Sequence, residues 1–388
     1  MKILFILSRF PYPLDKGDKL RAYYQLKNLS KHHQVTLFSL NDGKLTNEAI
    51  AHVKQYCAHV EVQHLSKFQV GINLFKALFN KLPLQVAYFY SHRAQQKLNQ
   101  LITAQKPDHI ICQLIRTTEY VKHIDNIPKT LDFMDVFSKG TERRVSGAPF
   151  YLRTILKMEH ARLSAYENHI FSHFNNLVII SEQDRSHIQH PEKLKISIIS
   201  NGVDTDYFKP LAHKKEYDIL FNGNMQYPPN IEGAEYLVNK ILPLVRKKHP
   251  DVKVLISGTN PNKRVQALAS GQVTVSGWVN DIRENFARSK ILVAPMFLSI
   301  GLQNKLLEAM AMQIPCITST LANNALGAEK DKSILVADTP EQYAKHISAL
   351  LTDEKKAGEI AMNAYSFVLA NYQWQQETAK LEKLISTK

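Results

Sequence analysis

Short apolar runs alternate with helix-length amphipathic segments along the whole chain, and this pattern limits the possible folds more than any other feature. The runs KILFIL (2–7), VTLFSL (35–40), HIICQL (109–114), KTLDF (129–133) and NLVIIS (176–181) are each flanked by polar residues. A strand that is apolar at consecutive positions is covered on both faces, which is the condition of a parallel sheet wrapped by crossover helices. After residue 217 the series restarts with DILFNG (218–223), KVLISG (253–258), VTVSG (273–277), KILVAP (290–295), PCITS (315–319) and SILVA (333–337). The expected fold class is therefore α/β, with two doubly wound sheets. Between the two series, SNGVDTDYFKPLAHKKEY combines Asn-Gly, Phe-Lys-Pro and a charge run, all turn or linker signals, so the boundary is expected near 205–216. Sheets of this kind bind ligands beyond the carboxyl ends of their strands.

Composition narrows the classes. With 44% hydrophobic and 22% charged residues, the chain is globular rather than disordered or fibrous. No stretch approaches the roughly 20 apolar residues of a membrane span, and MKILFIL runs straight into Ser8, Arg9 and Pro11. A cytoplasmic chain is expected. Cys57, Cys112 and Cys316 are too far apart for a disulfide framework or a zinc site and are expected as buried thiols. The net charge of +14 is uneven: residues 1–200 hold 27 basic and 16 acidic residues (+11), residues 201–388 hold 22 and 19 (+3). Thirteen of the 16 histidines also lie in the first half. A basic half suits an anionic partner such as phosphorylated ligands or an acidic membrane surface. Nucleic acid fits that charge too, but no nucleic-acid-binding motif is present.

The first strand leads through SRFPYPLDKGDKLRAYYQL, where Gly17 precedes a helix whose amides suit an anion. There is no G-x-G-x-x-G, which argues against a dinucleotide-binding dehydrogenase. The strongest local signal is KILVAPMFLSIGLQNKLLEAMAMQIPCITS: a buried strand, a loop reaching Gly301, then a helix to about Met312. In that helix Leu302, Leu306 and Met310 face a core, while Asn304, Lys305 and Glu308 share another face. Lys305 is placed to neutralise a phosphate and Glu308 to accept both hydroxyls of a ribose. Asp132 and Asp135 end the strand of LDFMDVFS, and a buried Asp132 must be either paired or lining a cleft. Arg116 and Glu119 follow the strand HIICQL, and Arg143 and Arg144 lie in TERRVSG; the arginines are candidates for gripping a phosphate bidentately, and surface positions explain all four equally well. The stretch 67–93 interleaves Lys67, Lys76, Lys81, His92 and Arg93 with Phe68, Phe75, Phe79, Phe89 and Tyr90, which suits either an anionic membrane interface or core packing.

The segment GLQNKLLEAMA resembles the donor-binding helix of the retaining family-4 glycosyltransferases. LSAYENHIFSHFNNLVIISEQDR (163–185), SNGVDTDYFKP (200–210), FNGNMQYPPNIEG (221–233) and SGWVNDIRENFARSKILVAP (276–295) follow in that family's order. With PYPLDKGDKLRAYYQL (11–26) and LDFMDVFS (131–138), the chain is most similar to sugar transferases of exopolysaccharide systems of the PEP-CTERM type. The resemblance implies a GT-B fold: two facing Rossmann-like domains about a central cleft, residues 1–205 binding the acceptor and 206–371 the donor, with helix 372–388 crossing back to the first. It implies a retaining transfer, without metal or cofactor, from a nucleoside diphosphate sugar to a lipid-linked or polysaccharide acceptor, by an enzyme in the cytoplasm or peripheral on the inner face of the cell membrane. Carried onto this chain, the donor residues are Gly301, Gln303, Asn304, Lys305 and Glu308, and the catalytic acid is Asp132 or Asp135. Arg9, Gly17 and Arg116 are expected at the acceptor or phosphate. One departure is Ile300, which stands where the family carries its first Glu, and FNGNMQYPPN lacks the family's basic pair. That departure keeps open a second expectation, a degenerate GT-B module that binds nucleotide sugar or glycan and scaffolds polysaccharide export.

Overall fold

Each of the eleven apolar runs forms a parallel strand, most of them with side chains covered on both faces, while the edge strand Val273–Gly277 is covered on one. The computed structural model describes residues 1–297 and 301–386. The first sheet comprises β1 (Lys2–Leu7), β2 (Gln34–Asn41), β3 (His59–His64), β4 (His109–Gln113), β5 (Lys129–Asp132), β6 (Asn176–Ile179) and β7 (Ser197–Ile198), in the order β3-β2-β1-β4-β5-β6-β7. The second comprises β8 (Tyr217–Asn222), β9 (Val254–Ser257), β10 (Val273–Gly277), β11 (Ser289–Ala294), β12 (Cys316–Thr318) and β13 (Leu335–Val336), in the order β10-β9-β8-β11-β12-β13. Two strands escape sequence reasoning. β3, HVEVQH, is an edge strand whose residues are only half-buried, so it has no apolar run to show. β7 has two residues and is legible only from its pairing with β6.

The units divide at Ser200/Asn201 and Gln376/Glu377, a few residues from the expected 205/206 and 371/372. The reason is local. Val203 N donates to Tyr372 O at 2.7 Å, and Val203 bridges Gln373, so the two passages of the chain travel together within the second unit. A Cβ on Gly202 would lie 2.4 Å from the backbone nitrogen of Trp374, so only glycine fits there. The last helix, Trp374–Ser386, then places Leu381 and Ile385 in the core of the first unit with Ile3, Phe5 and Leu26.

Buried carboxylates hold the helix starts of the first unit. On the long helix Phe150–Ile170, Glu159 accepts from the amides of Leu84 (2.8 Å) and Gln85 (3.1 Å), at the start of helix Leu84–Phe89. Glu167 accepts from the amide and hydroxyl of Ser138, at the start of helix Phe137–Gly147. Such amides have no partner inside their own helix, and the carboxylates satisfy them. The three cysteines are buried and free, and burial pushes the Cys57 and Cys112 thiols up to about 12, so they stay protonated at neutral pH.

Burial raises Glu167 to about 7, against the Ser138 hydrogen bonds that pull it down. From about pH 4.5 to 7 the unfolded chain releases a proton that the folded chain keeps, so stability falls as pH rises, by up to roughly 3 kcal/mol. Glu167→Gln removes that loss. Urea unfolding at pH 5 and pH 8 is expected to show the difference between wild type and variant moving in the variant's favour at the higher pH. A difference constant with pH would mean that Glu167 ionises as it does in the unfolded chain.

Candidate functional site

In a doubly wound sheet, the connections leave in opposite directions from the two strands at the switch of strand order, and a crevice opens beyond their carboxyl ends. In the first unit those strands are β1 and β4. Arg9 follows β1 and Arg116 follows β4, and their guanidinium groups lie over the Phe89 ring, 5.6 and 5.0 Å from its centroid. Arg116 also lies over Phe137, at 4.7 Å. Arg9 Nη1 pairs with Asp18 at 3.0 Å, and Arg116 Nη2 donates to Gln85 Oε1 at 2.9 Å. The Nε atoms of both arginines are buried and have no hydrogen-bond partner among the described residues. Burial, with Arg9 beside it, lowers Arg116 to about 10, so it remains charged at neutral pH. Gly17 begins helix Gly17–Leu29, and a Cβ there would meet nothing within 4 Å. The expected trio of Arg9, Gly17 and Arg116 thus comes together around the start of that helix and the end of β4. Glu119 is engaged elsewhere, accepting from Tyr166 Oη and pairing with Lys122.

The two acids diverge. Asp132 is buried and fully engaged: it accepts from Arg21 Nε at 2.6 Å, Gln25 Nε2 at 3.2 Å and Met134 N at 3.1 Å. Of the two alternatives for a buried Asp132 it is the paired one, and this corrects the expectation that it meets an acceptor. Asp135 is three residues on, and its side chain makes no hydrogen bond or ion pair among the described residues. It is exposed to water, yet desolvation, with Asp18 next to it, raises its carboxyl to about 6. Met134 at φ 60° makes the turn that separates the acids, and Leu114 at φ 66° follows β4 in the same strained manner. Non-glycine residues in this region cost on the order of 1 kcal/mol or more, and they cluster at functional sites.

In the second unit the switch lies between β8 and β11. The loop after β11 returns through Gly301, whose φ of 86° requires glycine, into helix Asn304–Ala311. Ile300 lies outside the described residues. Gln303 donates to Gly301 O, and Asn304 accepts from Asn201 at 3.3 Å. Lys305 corrects an expectation. It does not stand on an open polar face but is buried, with Nζ donating to Asn230 Oδ1 at 2.6 Å, 3.7 Å from Met296 Sδ and 4.7 Å from the Phe221 ring centroid. Asn230 in turn donates to Asn224 O in the loop after β8. Lys305 therefore ties the β8 loop to the β11 loop across the switch point. Desolvation lowers it to about 7, opposed by the charge of Glu308. Glu308 is half-buried, is raised to about 7 by desolvation, and its carboxylate accepts no hydrogen bond among the described residues.

Sequence reasoning missed Asn230 and Gly258. Asn230 reads as one polar residue in a Pro-Pro-Asn helix start, and only its contact with Lys305, 75 residues away, reveals it. Gly258 follows β9 at φ 145°, and a Cβ there would lie 1.6 Å from Gly223 O, so the ends of β8 and β9 meet backbone to backbone. The Ser-Gly after that strand was the available signal. No group of three or more His, Cys, Asp and Glu suited to a metal ion occurs among the described residues.

Residues 216–353 match the family model described as Glycosyl transferases group 1. The second unit is thus similar to the group 1 glycosyl transferases. Asn230, Gly301, Lys305 and Glu308 all fall within this group 1 segment. Over 402 aligned residues, covering 96% of each chain, the protein is 24% identical to an uncharacterized 44.6 kDa protein in the cps region of Klebsiella pneumoniae. It is 23% identical over 217 residues, 50% of this chain and 54% of the other, to the Escherichia coli UDP-Gal:alpha-D-GlcNAc-diphosphoundecaprenol alpha-1,3-galactosyltransferase. Among solved structures, Anabaena HepE in complex with UDP and glucose covers 100% of both chains at 15% identity, with a TM-score of 0.69. That likeness shows the fold, two Rossmann-like domains of the kind found in such glycosyltransferases.

Asp132→Asn is expected to destabilise the protein by about 3 kcal/mol in urea unfolding, because the buried Arg21 charge loses its counter-ion. Asp135→Asn is expected to unfold at the same or higher urea than wild type at neutral pH, because the raised carboxyl of Asp135 costs stability where it is ionised. The reverse order would place the structural pair at Asp135.

Proposed function

We propose that this protein is a retaining glycosyltransferase that moves a sugar from a nucleoside diphosphate sugar to a hydroxyl of a lipid-linked or growing polysaccharide acceptor, in the synthesis of exopolysaccharide or another cell-surface glycan. The observation that carries this reading is Glu308: a half-buried carboxylate without a hydrogen-bond partner among the described residues, one helical turn from the buried Lys305, inside the group 1 segment. An unsatisfied carboxylate in such surroundings is costly unless a ligand supplies the donors, and the two hydroxyls of a ribose do so. Lys305 spends one N–H on Asn230 and another toward Met296, which leaves a third for a diphosphate oxygen. Backbone amides at the start of helix Asn304–Ala311 add neutral donors. Relatives whose names specify UDP, UDP-galactose and a diphosphoundecaprenol-linked acceptor support the same class of substrates.

The acceptor is assigned to the first unit, with Arg9 and Arg116 for its phosphate and Asp135 for the incoming hydroxyl. Retention follows the resemblance. As the bond from the sugar carbon to the diphosphate breaks, the acceptor oxygen bonds to the same face of that carbon, and its proton passes to the leaving diphosphate. No protein nucleophile is needed. The alternative, a module that binds nucleotide sugar or glycan without transferring it, is favoured by Ile300 in place of the family's first Glu.

Calorimetric titration with UDP-, GDP- and ADP-sugars tests the donor site. At least one is expected to bind wild type, and Glu308→Gln and Lys305→Ala are each expected to weaken it by about tenfold or more, through loss of a charge-assisted contact. Equal affinities in all three proteins would remove this site from the reading. Asp135→Asn is expected to lower turnover with donor affinity unchanged. Donor binding without sugar consumption in the presence of lipid-linked acceptor would instead select the binding module.

A further inference from the structure

The helix Lys67–Phe79 is strongly apolar, yet Ala77 is its one buried residue. Phe68, Ile72, Phe75 and Phe79 recur at spacings of four, three and four, which gathers them within an arc of about 60° on a helix of 3.6 residues per turn. Ala77 lies on the opposite side of the same helix. Asn73, two-thirds of the way round toward Ala77, fastens the helix by donating to the carbonyls of Ala87 and Tyr90. The apolar stripe therefore points away from the protein, with Phe68 and Phe79 each 79% exposed and Phe75 64% exposed. Burial against the protein's own core would have turned this stripe inward.

A second apolar group is exposed on the helix that Arg162 ties to the end of this one. Helix Phe150–Ile170 does not enter the core until Glu159, and its first turns leave Phe150 82%, Tyr151 64% and Ile155 45% exposed. The two helices are fastened to each other: Arg162 donates to the carbonyls of Ala77 and Leu78, at the end of the first. Both groups are flanked by one sign of charge. Residues 67–93 contain Lys67, Lys76, Lys81 and Arg93, residues 143–158 contain Arg143, Arg144, Arg153 and Lys157, and neither stretch contains an Asp or Glu.

We propose that the Lys67–Phe79 helix and the projecting start of the Phe150–Ile170 helix form one face that docks on an anionic lipid bilayer, the aromatic rings entering the interface and the lysines and arginines meeting phosphate headgroups. Charge decides the occupant. Exposed apolar surface alone would suit a protein partner equally well, but two flanking stretches with eight Lys and Arg and no carboxylate match a uniformly negative surface. Among the described residues no helix is long and apolar enough to cross a membrane, so attachment of this kind is interfacial. The projecting helix is linked to an acceptor candidate, because Arg116 donates to Gln85 Oε1 and the Gln85 amide donates to Glu159 on that helix. Docking on this face would bring a phosphate-bearing lipid to the unit that holds Arg116. This last step rests on the transferase reading, whereas the docking does not.

Cosedimentation with phosphatidylglycerol and phosphatidylcholine vesicles tests the proposal with the full chain. Wild type is expected to bind the anionic vesicles at about 50 mM salt, to bind neutral ones weakly, and to be released near 500 mM, where screening shortens the reach of each charge to a few ångströms. Phe75→Ser with Phe79→Ser, and separately Phe150→Ser with Tyr151→Ser, are each expected to reduce binding by about tenfold or more. Met362→Ser, an exposed apolar residue of the second unit, is expected to have no effect. These side chains are already in water, so the variants keep their fold, checked by their unfolding midpoints. Absence of wild-type binding to anionic vesicles at low salt would overturn the proposal. So would loss in only one aromatic pair, or self-association abolished by the same variants without vesicle binding. Nucleotide titrations of the aromatic variants are expected to match wild type, which keeps a failure of docking distinct from a failure of the transferase reading.

Discussion

The first unit is organised by one buried chain of polar contacts. Arg21 Nε meets Asp132 at 2.6 Å, its Nη1 reaches Ser200 O at 3.1 Å, and Ser200 N donates to Glu377 at 2.8 Å. Desolvating a guanidinium and a carboxylate costs several kcal/mol per ion, and the cost is offset only when their remaining donors and acceptors find partners. Here the partners come from helix Gly17–Leu29, the end of β5, the segment after β7 and the last helix. Satisfying one ion pair thus ties the amino-terminal strand-helix pair to residues almost 360 positions later, and it gives the carboxy-terminal helix a polar reason, beside Leu381 and Ile385, to return to the first unit. The same lock engages Asp132 and leaves Asp135 as the acid that water reaches.

A parallel economy shapes the second unit. Lys305 is a buried cation without a carboxylate hydrogen-bonded to it among the described residues, so its charge is held by an amide, an aromatic face and a thioether. Such a cation is poorly compensated, which is why it is pushed toward neutrality, and Glu308 is poorly compensated in the opposite sense. An anionic diphosphate and a ribose would supply what each lacks. Two poorly compensated groups thus stand one helical turn apart at the switch point of the sheet.

The two units differ in what they expose. The second exposes aromatic residues singly, such as Tyr227 and Trp278, whereas the first leaves a phenylalanine stripe and a projecting helix start in water, amid most of the chain's excess positive charge. Exposed rings of this size are a liability to a freely diffusing protein. On the bilayer surface proposed above they would be the means of attachment.

Strand identity, the α/β class and the restart near residue 217 were legible in the sequence because a doubly covered strand must be apolar at every position. The donor helix was legible for a similar reason: Gly301 at its entry and the Leu306–Met310 repeat are local requirements of backbone and core. β3 was invisible, since an edge strand carries no continuous apolar run. The partners of Lys305 and Asp132 were also beyond reach, because Asn230 is 75 and Arg21 is 111 residues away, and no spacing rule connects positions joined only by packing. Residue type determined which groups can carry charge or bind phosphate. Only the tertiary structure decided which of them are already paired, because burial and partnership depend on neighbours that the chain brings in from far along its length.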